Sequence, residues 1–168
     1  MRELVLLAVL LGAAGLAGWL WFGRDTLTEE DVRAFYAQTD EAGRELDSAR
    51  VCGMMTEDYV SEGTIWVEGH AKEESRKRED ICRDLGELFR RMQQLRDMSG
   101  GRFKPDSSST IVSIDVAHDG KQAVVKTRSL LRLGGLSTSS RSTDTLVRVR
   151  GKVLIKHSKG INWVGVAS

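Results

Sequence analysis

The spacing of apolar residues changes near the middle of this 168-residue chain, and that change constrains the fold more than any other feature. Over 32–46 and again over 72–98, apolar residues recur at intervals of three and four, which is the period of an amphipathic helix. From residue 110 onward they alternate with polar residues, as in a strand with one buried face. A Gly- and Ser-rich stretch over 99–109, containing the single proline, Pro105, separates the two halves. The sequence therefore predicts an α+β fold, with the helices first and the strands second.

Helices dominate the predicted first half. Thr28 and Asp31 have the residue types and the spacing of a capping box, so we expect a helix to begin there. Its buried stripe runs from Val32 to Leu46 at helical spacing. The predicted elements are, in order, a helix ending near residue 49, a short helix over 51–57, a short strand or extended segment over 59–67 and a long amphipathic helix over 72–98.

Strands dominate the predicted second half. Four are expected, over 112–116, 121–133, 138–157 and 161–166, with tight turns at the Gly residues between them. Gly151 lies inside the third of these segments and predicts a β-bulge there. The fold class that follows is a set of helices packed on one face of a curved, four-stranded antiparallel sheet.

This arrangement resembles the nuclear transport factor 2-like superfamily, a cystatin-like α+β cone. The resemblance covers residues 28–167 and rests on the element order, the Met-Met-Thr-Glu-Asp-Tyr-Val run at 54–60 and the Ser-Lys-Gly-Ile-Asn-Trp-Val run at 158–164. It implies a pocket between the curved sheet and the helices. Members include enzymes such as ketosteroid isomerase and polyketide cyclases, and also binding or assembly domains of secretion and import machines. The fold alone therefore does not fix the function.

The amino-terminal run over 4–22 is uncharged, mostly apolar and long enough to cross a bilayer as a helix. Trp19 and Trp21 at its end are typical of an interfacial belt. The alternative is a secretory signal that is cleaved at the small residues over 12–17. We predict a membrane anchor, or uncleaved signal, over 1–24 and one domain over 25–168. The expected location is the bacterial inner membrane, crossed once, with the domain in the periplasm or outside.

Charge is divided unevenly along the chain. Residues 25–97 carry nineteen acids against eleven Lys and Arg, whereas 121–159 carry ten Lys and Arg against one acid, Asp144. A basic sheet surface is therefore predicted, which either meets an acidic protein partner or anionic lipid headgroups or is simply solvated. A homodimer is a further option, and nucleic acid is not expected, since no aromatics alternate with the basic residues. The basic surface comprises Arg128, Arg132, Arg141, Arg148, Arg150 and Lys152.

Two cysteines, Cys52 and Cys82, fall on the second and third predicted helices. In an oxidising compartment they would form a disulfide, and otherwise they are two buried thiols. No Cys or His spacing typical of a metal site is present, so we expect neither a metal nor a cofactor.

Four aromatic residues, Tyr36, Tyr59, Trp66 and Trp163, are predicted to line the pocket. An enzyme of the isomerase or cyclase type would need a carboxylate or histidine base there. Asp115 alternates with apolar residues and is placed on the other face, so no catalytic residue is assigned. The sequence favours a binding or assembly module without catalytic activity, and a small-molecule enzyme that uses the same pocket is the alternative.

Overall fold

The computed structural model describes residues 26–103, 106–133 and 135–166. Its three helices are α1 (Glu29–Glu45), α2 (Ser48–Gly53) and α3 (Arg78–Met98). The predicted capping box is confirmed: the Asp31 amide donates to the Thr28 hydroxyl, and the Thr28 amide donates to the Asp31 carboxylate. These bonds satisfy amides that have no partner inside the helix, and thereby fix where α1 begins.

The six strands of the described residues form one mixed sheet. They are β1 (Met55–Val67), β2 (His70–Lys77), β3 (Asp106–Val116), β4 (Gln122–Leu133), β5 (Leu136–Val149) and β6 (Lys152–Val166), in the spatial order β2-β1-β6-β5-β4-β3. The β1 and β6 strands pair in parallel, and every other pair is antiparallel. The α+β class is confirmed, but the predicted four-stranded antiparallel sheet is wrong in strand number and in direction.

The predicted sheet lacks two strands: β1, whose residues 59–67 were predicted as a short strand or extended segment outside it, and β2, whose residues were predicted largely as the start of the long helix. The segment His70–Lys77 is rich in Glu and Lys, which suit a helix as a matter of propensity. The Glu68-Gly69 turn, with positive φ at both residues, reverses the chain after β1, and the segment then pairs antiparallel along it. Pairing along a whole strand therefore overrides local propensity, and α3 begins only at Arg78.

A second correction concerns the glycines of the last strands. Gly151, predicted as a bulge, lies with Arg150 in the turn between β5 and β6, and both have positive φ. The β6 strand runs unbroken through Gly160, where a turn was predicted. There Gly63 and Gly160 are register partners, and a Cβ on Gly63 would lie 2.6 Å from the Gly160 carbonyl oxygen. The close approach of the two backbones requires glycine at this place.

The main core lies between α1 and one face of the sheet, which we call the inner face. Ala123, Val125 and Leu146 are fully buried there, against Val32 and Phe35 of α1. Since side chains alternate along strands, the register assigns the remaining residues to the inner face or to the outer face, which the helices do not cover. The apolar residues of β4, which include Ala123 and Val125, therefore lie on the inner face.

A smaller core lies between the helices. Leu46, Phe89 and Met92 are buried in it, next to the disulfide that joins Cys52 of α2 to Cys82 of α3. The disulfide spans 5.7 Å between the two Cα atoms and fastens the short helix to the long one.

No helix among residues 26–103, 106–133 and 135–166 has the length and apolar character that a membrane crossing requires. The predicted anchor over 1–24 lies outside the described residues. The described chain begins beside the β3–β4 turn, where the Leu27 amide donates to the Gly120 carbonyl and the Leu27 side chain is buried.

Candidate functional site

The inner face holds a buried carboxylate, Asp144, which is only 5% exposed. The Tyr36 hydroxyl donates to Asp144 Oδ2 over 2.6 Å, and the Ser158 hydroxyl donates to Oδ1 over the same distance. Tyr36 comes from α1, Asp144 from β5 and Ser158 from β6, so the carboxylate joins the helix layer to the sheet. Both oxygens of this acid are thus hydrogen-bonded, as a buried charge requires.

Two tyrosines adjoin this carboxylate. Burial raises the pKa of Tyr36, and the neighbouring Asp144 carboxylate raises it further, because both disfavour the phenolate. Burial also raises the pKa of Tyr59, against the opposing hydrogen bond of the Ser61 hydroxyl. Both phenols therefore stay protonated at neutral pH, and the Tyr36 hydroxyl acts as a hydrogen-bond donor to Asp144.

A small polar cleft of about 170 Å³, which we call the inner cleft, opens next to this network. Ser158 belongs to both, since its hydroxyl bonds Asp144 while its residue lines the cleft. Most of the lining is hydroxyl or amide, with one Glu and one Arg from β2. The inner-face side chains that line it are Ser61, Ile65, Glu74, Arg76, Ser140, Ser142, Ser158 and Asn162. Hydroxyls and amides can bind a compact polar molecule, but Asp144 itself does not line the cleft.

A larger concavity of about 860 Å³ lies across the outer face, where it spans the sheet from β2 to Val112 of β3 at the level of Gly63 and Gly160. We call it the outer groove. Its walls differ in charge: acids lie on the β1–β2 side and cations on the β4–β5–β6 side. The outer-face residues of β1, β2, β4, β5 and β6 that line it are Glu62, Thr64, Glu73, Ser75, Lys126, Arg128, Arg141, Thr143, Lys159 and Ile161.

The cations of the outer groove have no carboxylate partner among the described residues. Arg128 and Arg141 are directly opposite one another on β4 and β5, and Lys126 is two residues along the same face. None of the three forms an ion pair with a described acid, and neither does Lys159. Like charges on directly opposed positions destabilise a sheet. Arg128 and Arg141 therefore keep a repulsive arrangement that no ion pair with a described acid compensates, although Glu62 is the register partner of Lys159.

The four aromatics predicted to line one pocket do not come together. Tyr36 and Tyr59 lie on the inner side near Asp144. Trp66 and Trp163 are register partners on the outer face, where they are 38% and 36% exposed. The Arg141 guanidinium lies 5.6 Å from the centre of the Trp163 ring. These tryptophans thus belong to the surface that continues from the outer groove. Asp115 is exposed on the outer face, as predicted.

The predicted basic surface is also divided. Arg128, Arg132 and Arg141 lie on the outer face, with Arg132 3.6 Å from the Asp106 carboxylate. Arg150 and Lys152 flank Gly151 at the β5–β6 turn.

Arg148 is on the inner face instead. Its side chain is 9% exposed and lies 2.6 Å from the Asp31 carboxylate of α1. Burial acts to raise the pKa of Asp31, but hydrogen bonds from Thr28 and Arg148 outweigh it and hold that pKa below its ordinary value. Arg148 is therefore part of the core and not of a docking surface.

Asp144 is the site residue that sequence reasoning missed. One signal was available: it is the single acid among ten basic residues over 121–159, and it stands two positions from the apolar Leu146. An acid on the apolar face of a strand must have a partner. Which partner it has depends on where α1 packs, and no local pattern gives that.

No family model matches the sequence. No curated protein matches it either. Similar solved structures do exist, and each covers most of both chains. An NTF2-like protein of unknown function from Shewanella baltica shares 13% identity at a TM-score of 0.53, covering 83% of this chain and 94% of that one. A conserved protein from Planctomyces limnophilus shares 15% at 0.55, covering 83% and 97%. An NTF2-like protein of unknown function from Shewanella oneidensis shares 11% at 0.55, covering 79% and 98%. By the order of its helices and strands and by these likenesses, the chain has the nuclear transport factor 2-like fold.

Proposed function

We propose that the chain is a non-catalytic binding or assembly module, held at the bacterial inner membrane by residues 1–24 with its domain outside the cytoplasm. The absence of catalysis is inferred from the burial and the hydrogen bonds of Asp144. Both of its oxygens accept hydrogen bonds from the protein, and the side chain is almost fully buried. A general base must reach the proton that it abstracts, which this carboxylate does not do.

The location is supported by two features. The apolar run over 4–22 is long enough for one bilayer crossing. The Cys52–Cys82 disulfide is of a kind that persists in oxidising compartments and is rare in the cytosol. Fractionation of cells tests the anchor, and protease protection of spheroplasts tests which side the domain occupies. Full-length chain recovered in the cytosolic fraction contradicts the location.

A small-molecule enzyme is the second candidate, and one observation favours it. Asp144 and two protonated phenols surround Ser158, which lines the inner cleft. A rearrangement of the Ser158 hydroxyl would connect the carboxylate to a molecule in that cleft. Asp144→Asn distinguishes the two functions. If Asp144 is structural, the folded variant keeps its function, whereas if Asp144 is a general base, the variant loses activity.

The experiment that tests the module is site-specific photo-crosslinking of the full-length chain in cells. A photoreactive residue replaces Thr143 in the outer groove, Ser140 in the inner cleft or Arg90 on the exposed side of α3 as the control. We expect a discrete heavier adduct from Thr143 or Ser140 and none from Arg90, with the same adduct in an Asp144→Asn background. Two results contradict the proposal. One is an adduct that disappears with Asp144→Asn in a folded chain, and the other is the absence of an adduct at both Thr143 and Ser140.

A further inference from the structure

The outer groove carries the strongest unassigned feature of the molecule. Lys126, Arg128 and Arg141 form one cationic wall on two adjacent strands, and the described residues supply no carboxylate to any of them. Arg132, near the end of β4, differs, because it lies 3.6 Å from the carboxylate of Asp106 on β3. Repulsion between directly opposed arginines lowers stability, and a solvated face does not need such an arrangement.

Apolar surface continues from this wall. Ile161 lines the groove and is 39% exposed, and it is the register partner of Arg141. Trp163 follows two residues later on the same face, beneath the Arg141 guanidinium. Aromatic and Arg side chains are enriched where interfaces bind most strongly. The groove therefore offers charge and apolar contact side by side.

The size of the groove indicates what fits. A helical segment occupies a cylinder about 10 Å wide with about 1.5 Å of rise per residue, so it displaces roughly 120 Å³ per residue. The volume of about 860 Å³ thus accepts roughly seven residues, or two turns of helix. A short polypeptide segment therefore fits this concavity.

We propose that the outer groove is a docking site for an acidic, amphipathic segment of another protein, with the segment's carboxylates against Lys126, Arg128 and Arg141 and its apolar side chains against Ile161 and Trp163. This rests on the proposed function and specifies the partner of the module. The recognition is of the helix-in-groove kind, with complementary charge setting the partner and the register.

The test uses the full-length chain in phosphatidylcholine nanodiscs and a fluorescein-labelled amphipathic peptide of Glu, Leu and Ala, measured by anisotropy. The matched control peptide replaces every Glu with Lys. We expect saturable binding of the acidic peptide, weaker at high salt, and none of the basic one. The variant Lys126→Glu/Arg128→Glu should weaken binding by at least about tenfold. Lys121→Glu/Arg90→Glu makes the same charge change at exposed positions outside the groove and should change it less than about twofold.

Three results overturn the inference: no saturable binding of the acidic peptide, equal loss in both charge variants, or displacement of the peptide by phosphatidylglycerol vesicles but not by phosphatidylcholine vesicles. The last result assigns the cations to anionic lipid. Circular dichroism of each variant shows whether the chain is folded. If the acidic peptide does not bind while the Thr143 crosslink persists in cells, the proposed binding module stands and only its acidic partner is wrong. A crosslinked adduct of twice the chain mass identifies the partner as a second copy of this chain.

Discussion

Asp144 and Arg141 are three residues apart on β5, but they lie on opposite faces of the sheet, and their surroundings differ. Asp144 faces α1 and has two hydroxyl donors at 2.6 Å. Arg141 faces solvent, opposite another arginine, with the Trp163 ring as its neighbour. On the covered face Asp144 has hydrogen-bond partners and Asp31 is paired with Arg148, because a buried charge without a partner strongly destabilises a fold. On the outer face water screens the charges, so the fold does not require pairing and the arrangement is available for binding.

The disulfide is the strongest single support of the covered side, and removing it should have the largest effect. It closes a loop of 30 residues between α2 and α3. The chain-entropy estimate for such a loop is about 3.5 kcal/mol. We expect Cys52→Ser/Cys82→Ser to lower the free energy of unfolding by about this amount in urea titrations followed by circular dichroism.

Reduction supplies the control for that variant. Dithiothreitol should bring the wild-type chain down to the stability of the double variant and leave the variant itself unchanged. A double variant as stable as the wild type would mean that packing at Leu46, Phe89 and Met92 holds the helices without the covalent link.

The next effect concerns Asp144. Asp144→Ala leaves the Tyr36 and Ser158 hydroxyls without an acceptor in a buried site. Each unsatisfied group costs about 1–3 kcal/mol, so a loss of about 3 kcal/mol in unfolding free energy is expected. Thr143→Ala is the matched control, because it is the adjacent residue on the outer face, and its effect should stay within about 0.5 kcal/mol. Equal effects from the two variants would remove the contrast between the faces.

A third effect links the covered face to pH. Asp31→Asn weakens the bonds to Thr28 and to the nearly buried Arg148, and we expect a loss of about 2 kcal/mol at pH 7. Because the folded chain holds the pKa of Asp31 below its ordinary value of 3.8, the carboxylate stabilises the fold above that value. The stabilisation is lost as pH falls through the lower, folded pKa.

The difference in stability between wild type and Asp31→Asn should thus be constant above about pH 5 and should shrink below pH 4. Denaturant titrations at several pH values measure it. A difference that grows in acid would reverse the sign and contradict the assigned pairing with Arg148.

Much of this contrast could be predicted from local pattern. Alternation in β4 assigns Ala123 and Val125 to the inner face, and the capping box fixes the start of α1. Neither depends on the rest of the fold. The β2 strand could not be predicted in this way, because its Glu- and Lys-rich sequence suits a helix and only pairing with β1 holds it extended.

The candidate sites depend on tertiary structure in the same way. Trp66 and Tyr59 both belong to β1, but they face opposite sides once the strand is continuous. The predicted single pocket required them on one side. Arg148 and Arg141 likewise occupy the same strand. Two strand positions share a face when an odd number of residues lies between them, and they face opposite sides when that number is even. Six residues, 142–147, lie between these two arginines, so they face opposite sides and the basic surface had to divide.

The smallest expected effect is a gain in unfolding free energy, whereas the substitutions on the covered side lower it. Arg128→Glu replaces one of two directly opposed arginines and creates an attractive pair with Arg141. We expect the unfolding free energy to rise by about 0.5 kcal/mol at low salt and to return to the wild-type value at high salt, where surface pairs are screened. Arg141→Glu, which makes the reverse pair, should match it apart from the lost Trp163 contact. If the wild-type domain has a lower unfolding free energy than its charge-reversed variant, the arginines are of the kind that is retained for binding at a cost in stability. If Arg128→Glu instead lowers stability as a buried change would, Arg128 has a carboxylate partner and the cationic wall is structural.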